Sequence, residues 1–331
     1  MTTLARALGP GPLAEAILVL ADTAVKVAGL IARSPLTGGA EVASDTNASG
    51  DAPKALDLRA QDLYVDALRA TAIAGLASEE ADDVIDLGSG DYVMAIDPID
   101  GSSNIDINAP IGTIFAILPR NGLTLEQALL QPGIAQVAAG FVLFGPSTIL
   151  VLTTGDGTDI YALADGEFTR THHRVRIPDE AREYAVNASN ARHWDPGMAA
   201  YVADLVAGQI GPRGQDFNMR WLASLVAEAY RILLRGGIYL YPADARPGYG
   251  EGRLRLVYEA NPMAFLCEQA GGEATDGQTR ILDRTPQSLH EKTPLIFGSS
   301  AKVARVLRYL DNPPVTHETA PLFGQRSLLR S

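Results

Sequence analysis

The stretch Asp97-Pro98-Ile99-Asp100-Gly101-Ser102-Ser103-Asn104-Ile105-Asp106 constrains this chain more than any other, because it sets two carboxylates three residues apart after an apolar run, Tyr92-Val93-Met94-Ala95-Ile96. The run reads as a buried strand that delivers the stretch to the carboxyl edge of a sheet, where open α/β sheets bind ligands. Pro98 is expected to end that strand. Across the turn, Asp97 and Asp100 can converge on a hard divalent cation such as Mg2+, which takes oxygen ligands and keeps several waters. Gly101-Ser102-Ser103 then offers backbone amides and two hydroxyls, the chemistry of a phosphate cradle. Taken alone, the same residues also suit a sharp turn that the aspartates merely cap.

Charge is distributed in keeping with the first of these readings. From Ala70 to Pro119 there is no Lys or Arg, yet nine acids occur: Glu79, Glu80, Asp82, Asp83, Asp86, Asp91, Asp97, Asp100 and Asp106. Clustered carboxylates without a local countercharge repel one another unless cations join them. Residues 211 to 255 carry seven arginines against four acids, so one half suits cations and the other anions. The whole chain has 27 basic and 39 acidic residues, a net charge of −12, which disfavours nucleic acid and anionic membranes as partners. No run of about 18 uncharged apolar residues occurs, so no membrane span is expected. The start, MTTLARALGPG, matches neither a signal peptide nor an Arg/Ser-rich transit peptide, and a cytoplasmic enzyme is the expectation. The single cysteine, Cys267, sits in an apolar helical pattern and is assigned to the core, which excludes a disulfide or thiol switch within the chain.

In chain order, 12 to 33 predicts an amphipathic helix, 37 to 53 a Gly-rich mobile loop, and about 55 to 75 a second helix. Strands are expected at Gly112–Leu118, Ala135–Phe144 and Ser147–Thr153, with a hairpin around Asp165-Gly166. His172 and His173 have no ligand-spaced partner and read as surface residues. A boundary near Ile177-Pro178-Asp179-Glu180 divides the chain into domains 1–177 and 178–331. Beyond it come a strand at Tyr184–Asn187, a helix at 218 to 235 stopped by Gly236-Gly237, a strand at Ile238–Tyr241, and a helix with Asn261 as N-cap and Gly271-Gly272 as its stop. A strand at Leu295–Phe297 and a helix at 300 to 310 follow, and a flexible tail is expected from Asp311.

The string DPIDGSSNID resembles the metal and phosphate signature of class 1 fructose-1,6-bisphosphatases, within the superfamily that includes inositol monophosphatases. GDAPKALDLRAQD (50–62) is similar to that family's GDxxKxLDxxAxD segment, Ser78-Glu79-Glu80 to its SEE motif, and LRLVYEANPMAFLCEQAGG (254–272) to LRLLYExNPMAFLxEQAGG. The resemblance spans about Asp51 to Ser299. It implies an α/β sugar-phosphatase fold of alternating helix and mixed-sheet layers in two domains, the first of the allosteric type, and a homotetramer. It further implies two or three Mg2+ ions, with Mn2+ a substitute, held by Glu79, Asp97, Asp100, Glu259 and the carbonyl of Ile99. Asp51, Asp57 and Glu80 would position and deprotonate the attacking water. Asp100, Gly101, Ser102 and Ser103 would bind the transferred phosphoryl group, and Asn187, Arg220, Tyr241 and Arg253 the distal phosphate. The implied reaction is Mg2+-dependent hydrolysis of the 1-phosphate of fructose 1,6-bisphosphate, in gluconeogenesis or the Calvin cycle.

Departures from the family pattern bear on substrate and regulation. Trp221 and Asn190 stand where many members carry tyrosines, and Arg253 where the usual residue is lysine. Sedoheptulose 1,7-bisphosphate therefore stays open as a substrate, and an inactive metal- and phosphate-binding regulator is the alternative of a different class. Many members bind AMP through a Thr-Gly-Glu-Leu turn, a Lys-Tyr pair and an arginine after the GTIFxI strand. Here Gly9-Pro10-Gly11-Pro12-Leu13, Asp91-Tyr92 and Pro119-Arg120 occupy those positions, so weak or absent AMP inhibition is expected.

Overall fold

The computed structural model describes residues 2–37 and 55–313. Nearly all of the loop expected at 37 to 53, and the tail from 314 onward, lie outside the described residues. The first half opens with α1 (Leu4–Leu8), α2 (Pro12–Thr37) and α3 (Ala55–Leu68). Eight strands follow: β1 (Ile73–Ser78), β2 (Ile85–Asp86), β3 (Tyr92–Asp100), β4 (Ile111–Pro119), β5 (Ala138–Phe144), β6 (Thr148–Thr153), β7 (Thr158–Ala164) and β8 (Glu167–His172), with α4 (Leu125–Leu129) between β4 and β5. They form one sheet in the order β2-β1-β3-β4-β5-β6-β7-β8. Only β1 and β3 pair in parallel; the rest is an antiparallel meander.

The second half contains β9 (Glu183–Val186), α5 (Pro196–Ala207), β10 (Asn218–Met219), α6 (Leu225–Arg235), β11 (Ile238–Tyr241), β12 (Leu254–Arg255), α7 (Asn261–Gln269), β13 (Glu273–Thr275), β14 (Lys292–Thr293), β15 (Leu295–Gly298) and α8 (Ser300–Asp311). Its main sheet has the order β10-β9-β11-β15-β13, and β12 pairs only with β14.

Period-two alternation explains how the layers stack. On the large sheet, Phe115, Ile117, Val142 and Leu150 face Ile17 and Leu20 of α2 and Tyr64 of α3, while Ile114, Phe141 and Val151 face Leu225 and Val226 of α6 and Met263 of α7. Tyr239 and Phe297 of the smaller sheet close on α6 and α7 from the other side. Tyr184, Leu240 and Ile296 turn outward onto Met198 and Tyr201 of α5 and Val303 of α8. The result is five layers, helix-sheet-helix-sheet-helix. Burying each such apolar side chain stabilises by about 1.5–3 kcal/mol. Strand β3 is buried on both faces because helices cover both, so Val93 to Ile96 is a continuous apolar run.

Several elements differ from the sequence expectation. The second helix stops at Leu68, and Ile73–Ser78, whose apolar spacing suits a helix, is a strand buried at all six positions; pairing with both β2 and β3 outweighs local periodicity. The helix expected at 218 to 235 begins only at Leu225. Asn218-Met219 adds an edge strand to β9, Ala223 takes a left-handed φ of 54°, and Ser224 caps the helix by accepting from Ala227 N. Pro98 does not end β3; the strand passes through it with a bulge, since Asp97 pairs with Ile114 and Asp100 with Gly112. Asn261 is not an N-cap, and no strand leads into the helix at Glu259. Leu256–Ala260 forms a π-helical turn running straight into α7, because the Glu259 carboxylate folds back to accept from Arg255 N at 2.6 Å. The Asp165-Gly166 hairpin does form, both residues having positive φ, 51° and 82°, as a type I′ turn requires.

Candidate active site

The bulge in β3 turns both aspartates toward the second half. Asp97 Oδ1 accepts from Ile99 N at 3.0 Å, which closes the turn locally. Asp100 Oδ2 accepts from Val226 N at 3.1 Å and from Ser224 Oγ at 3.4 Å. One carboxylate from the large sheet thus sits on the positive N-terminal end of α6, fixing the two halves against each other. Glu259 reaches the same place from its π turn, and Asp97, Asp100 and Glu259 each present an oxygen within 4.8 Å of the others.

Glu79, just past β1, stands within hydrogen-bonding reach of Asp97. Its Oε1 is 3.4 Å from Nε of the buried Arg255. Burial pushes the Glu79 carboxyl up to about 7, opposed by Arg255 and reinforced by Glu80 and Asp100. Asp100 rises to about 6 for the same reason, against the amides and hydroxyl that hold it. Asp97 and Glu259 are driven well above the carboxylate range, by burial first and by Glu79 next. Three buried acids and the half-buried Glu79, sharing one guanidinium, fit a hard divalent cation, which would supply the missing countercharge to an all-oxygen donor set.

Beside the acids, Gly101 adopts φ 75°, which glycine allows without strain. It leads into the single turn Ser102–Asn104, and Asn104 Nδ2 donates to the carbonyls of Leu222 and Ala223 at 3.3 and 3.0 Å. The Gly-Ser-Ser segment is therefore tied to the loop before α6, next to Asp100. Of the proposed water-handling residues, Glu80 is near enough for its charge to act on both Glu79 and Asp97. Asp57 is buried in the first turn of α3, a helix packed against β3. Asp51 lies outside the described residues.

The four distal-phosphate candidates are only partly gathered. The Arg253 charge acts on the Tyr241 phenol, which burial otherwise pushes up. Tyr241 stacks on Trp221 at 5.9 Å. Asn187 caps the turn after β9, accepting from Ser189 N at 3.2 Å. Arg220 points to Glu183 at 3.7 Å and is 53 % exposed, sharing that carboxylate with Arg231 and Arg235. Sequence reasoning missed Tyr249, whose ring lies 4.4 Å from Arg246 Cζ and 4.7 Å from Arg253 Cζ, and Asp244, which pairs with Arg246. It also missed Arg255 as the guanidinium of the acid cluster. A signal existed, since Arg255 belongs to the arginine-rich stretch and stands four residues before Glu259.

Acids that call for cations, flanked by amides and hydroxyls that suit phosphate oxygens, are the equipment of a metal-dependent phosphatase, and the five layers supply the matching scaffold. Residues 11–173 match the family described as fructose-1-6-bisphosphatase, N-terminal domain, and residues 177–311 its C-terminal domain. A Xanthobacter autotrophicus protein named fructose-1,6-bisphosphatase class 1 2 is 50% identical over 309 residues, 91% of this chain and 94% of that one. An Azorhizobium caulinodans fructose-1,6-bisphosphatase class 1 is 52% identical over 301 residues, 88% and 91% of the two chains. The crystal structure of Leishmania major fructose-1,6-bisphosphatase in holo form superposes with a TM-score of 0.88 at 33% identity, covering 94% of this chain and 99% of that one. The chain belongs to the class 1 fructose-1,6-bisphosphatase family.

Proposed function

We propose that the protein hydrolyses the 1-phosphate of fructose 1,6-bisphosphate, giving fructose 6-phosphate and inorganic phosphate, with Mg2+ held by Asp97, Asp100, Glu259, Glu79 and the Ile99 carbonyl, two or three ions per subunit. When bound, the ions polarise the 1-phosphate and offset the charge that develops on the departing sugar oxygen. The amides of Gly101 to Ser103 and the hydroxyls of Ser102 and Ser103 hold the transferred phosphoryl group. Glu80, with Asp51 and Asp57, orients the attacking water and takes its proton; the water oxygen bonds to phosphorus as the bond to the sugar oxygen breaks. Asn187, Tyr241, Arg253 and Arg220 hold the distal phosphate by charge-assisted hydrogen bonds. Arg220 does so for a neighbouring subunit of a homotetramer, in keeping with its exposure.

The observation that carries this reading is the convergence of Asp97, Asp100 and Glu259 within 4.8 Å, beside Gly101-Ser102-Ser103. Phosphate release from fructose 1,6-bisphosphate, sedoheptulose 1,7-bisphosphate and inositol 1-phosphate, each with Mg2+ and with chelator, tests it. Mg2+-dependent release from fructose 1,6-bisphosphate is expected, and little from inositol 1-phosphate, which has no distal phosphate. A protein that binds metal and bisphosphate without turnover would be the inactive regulator instead. Sedimentation of the purified protein at four times the chain mass is expected for the tetramer.

A further inference from the structure

Three cations meet in the second half, and among the described residues none of them is in an ion pair. Lys302, in the first turn of α8, is 7 % exposed, and among the described residues no hydrogen bond or ion pair holds its ammonium. Its Nζ lies 5.0 Å from the centroid of the Phe217 ring, and Arg213 Cζ lies 4.8 Å from the same centroid. Arg213 Nη1 is buried without a hydrogen-bond partner, and so is the hydroxyl of Tyr201, whose ring is 5.9 Å from the Arg213 Cζ. Arg305, on the next turn of α8, brings the third charge. Burial first, then Arg213 and Arg305, push the Lys302 ammonium down to about 8.

Lys302, Arg213 and Arg305 line a cavity of about 450 Å3 together with Arg182 and Gln215. Asp179 and Glu180 also line it, exposed and, among the described residues, in no ion pair with the three cations. A buried ammonium beside two guanidinium groups and in no ion pair is costly, and the cost is relieved by an anion that accepts from all of them. The N-terminal end of α8, a helix of 12 residues, adds to the positive field. Nothing in the bisphosphatase mechanism uses any of these residues.

We propose that this cavity is a second phosphoryl-anion site, separate from the active site, which takes inorganic phosphate or the phosphate of a small phosphomonoester. Calorimetric titration of the whole protein in chelator tests it, because the unmetallated active-site acids then repel anions and no ester is cleaved. Phosphate is expected to bind to the Arg253→Ala protein, in which the distal-phosphate pocket is disabled. In that background Lys302→Met and Arg305→Gln should each weaken binding about tenfold or more, the scale of one lost charge-assisted contact. In the wild-type background the same two changes should leave bisphosphate turnover at saturating Mg2+ unaltered. A parallel titration with glycerol 2-phosphate separates the sources: tighter binding than inorganic phosphate indicates an ester as the ligand, and equal or weaker binding indicates phosphate itself. Arg305 is partly exposed, so its variant remains informative if Lys302→Met does not fold. No phosphate binding to Arg253→Ala, or unchanged affinity in the variants that fold, overturns the proposal.

Discussion

Arg253 marks the distal end of the proposed substrate pocket, held against Tyr249 and close enough to Tyr241 for its charge to act on the phenol. Replacing it with alanine removes a charge-assisted contact of about 1.5–3 kcal/mol, so the KM for fructose 1,6-bisphosphate should rise roughly tenfold to a hundredfold while kcat changes little. An unchanged KM for both bisphosphates places the pocket elsewhere. The acid cluster makes a separate prediction about pH. Glu79 and Asp100 have folded-state values near 7 and 6, above the ordinary carboxylate range, so between about pH 4 and 7 the metal-free folded state binds more protons than the unfolded chain. The contribution of these two acids to stability must then fall as pH rises through that window. The contribution to Tm of metal-free protein should decline from pH 5 to pH 8, and Mg2+ should raise Tm more at pH 8 than at pH 5. Thermal scans with and without Mg2+ at the two pH values check this, and an equal Mg2+ effect at both would contradict the shifted acids.

The elements show which parts of the chain carry their own instructions. Asp165-Gly166 and the glycine after α6 specify turn and stop through local backbone conformation, and both were legible in the sequence. The Ile73–Ser78 strand was not, because its apolar spacing suits a helix and only its neighbours β2 and β3 decide against that. Ser224 was an available cap signal, but the apolar residues before it masked the start of α6. In the candidate site, the two aspartates and Glu259 were legible as motifs. The contacts of Arg255 with Glu79, of Val226 N with Asp100, and of Tyr249 with two arginines join residues far apart in the chain or hidden within motifs. The start of α2 carries a prediction about AMP. The cavity there, of about 280 Å3, is lined by Ala7, Leu8, Pro10 to Ala14, Ile17, Tyr92 and Thr154, with no cation. Arg120 is turned away, its Nε donating to the Leu123 carbonyl at 3.1 Å. Among the described residues a phosphate there would find neither guanidinium nor ammonium, so a titration of AMP against hydrolysis rate should reach no half-inhibition at micromolar concentrations.

At the scale of the molecule, the two sheets meet across α6 and α7, and the site exists only where they meet. Asp97 and Asp100 come from the first half, Glu259 from the second, and the α6 N-terminus binds Asp100 across the junction. His290 makes a second link, its Nε2 donating to the carbonyl of Ala81 at 3.1 Å, one residue beyond Glu80. Relative motion of the halves would therefore move the proposed metal ligands apart. The central claim is that acids from both halves act as one metal site, and Mg2+-dependent phosphate release from fructose 1,6-bisphosphate by Asp97→Asn and by Glu259→Gln, each checked for folding, tests it most directly. Loss of a ligand on either side should lower turnover at saturating Mg2+ by about 10³-fold or more, since metal stabilisation carries much of the barrier reduction. Near-wild-type turnover in either folded variant would contradict it.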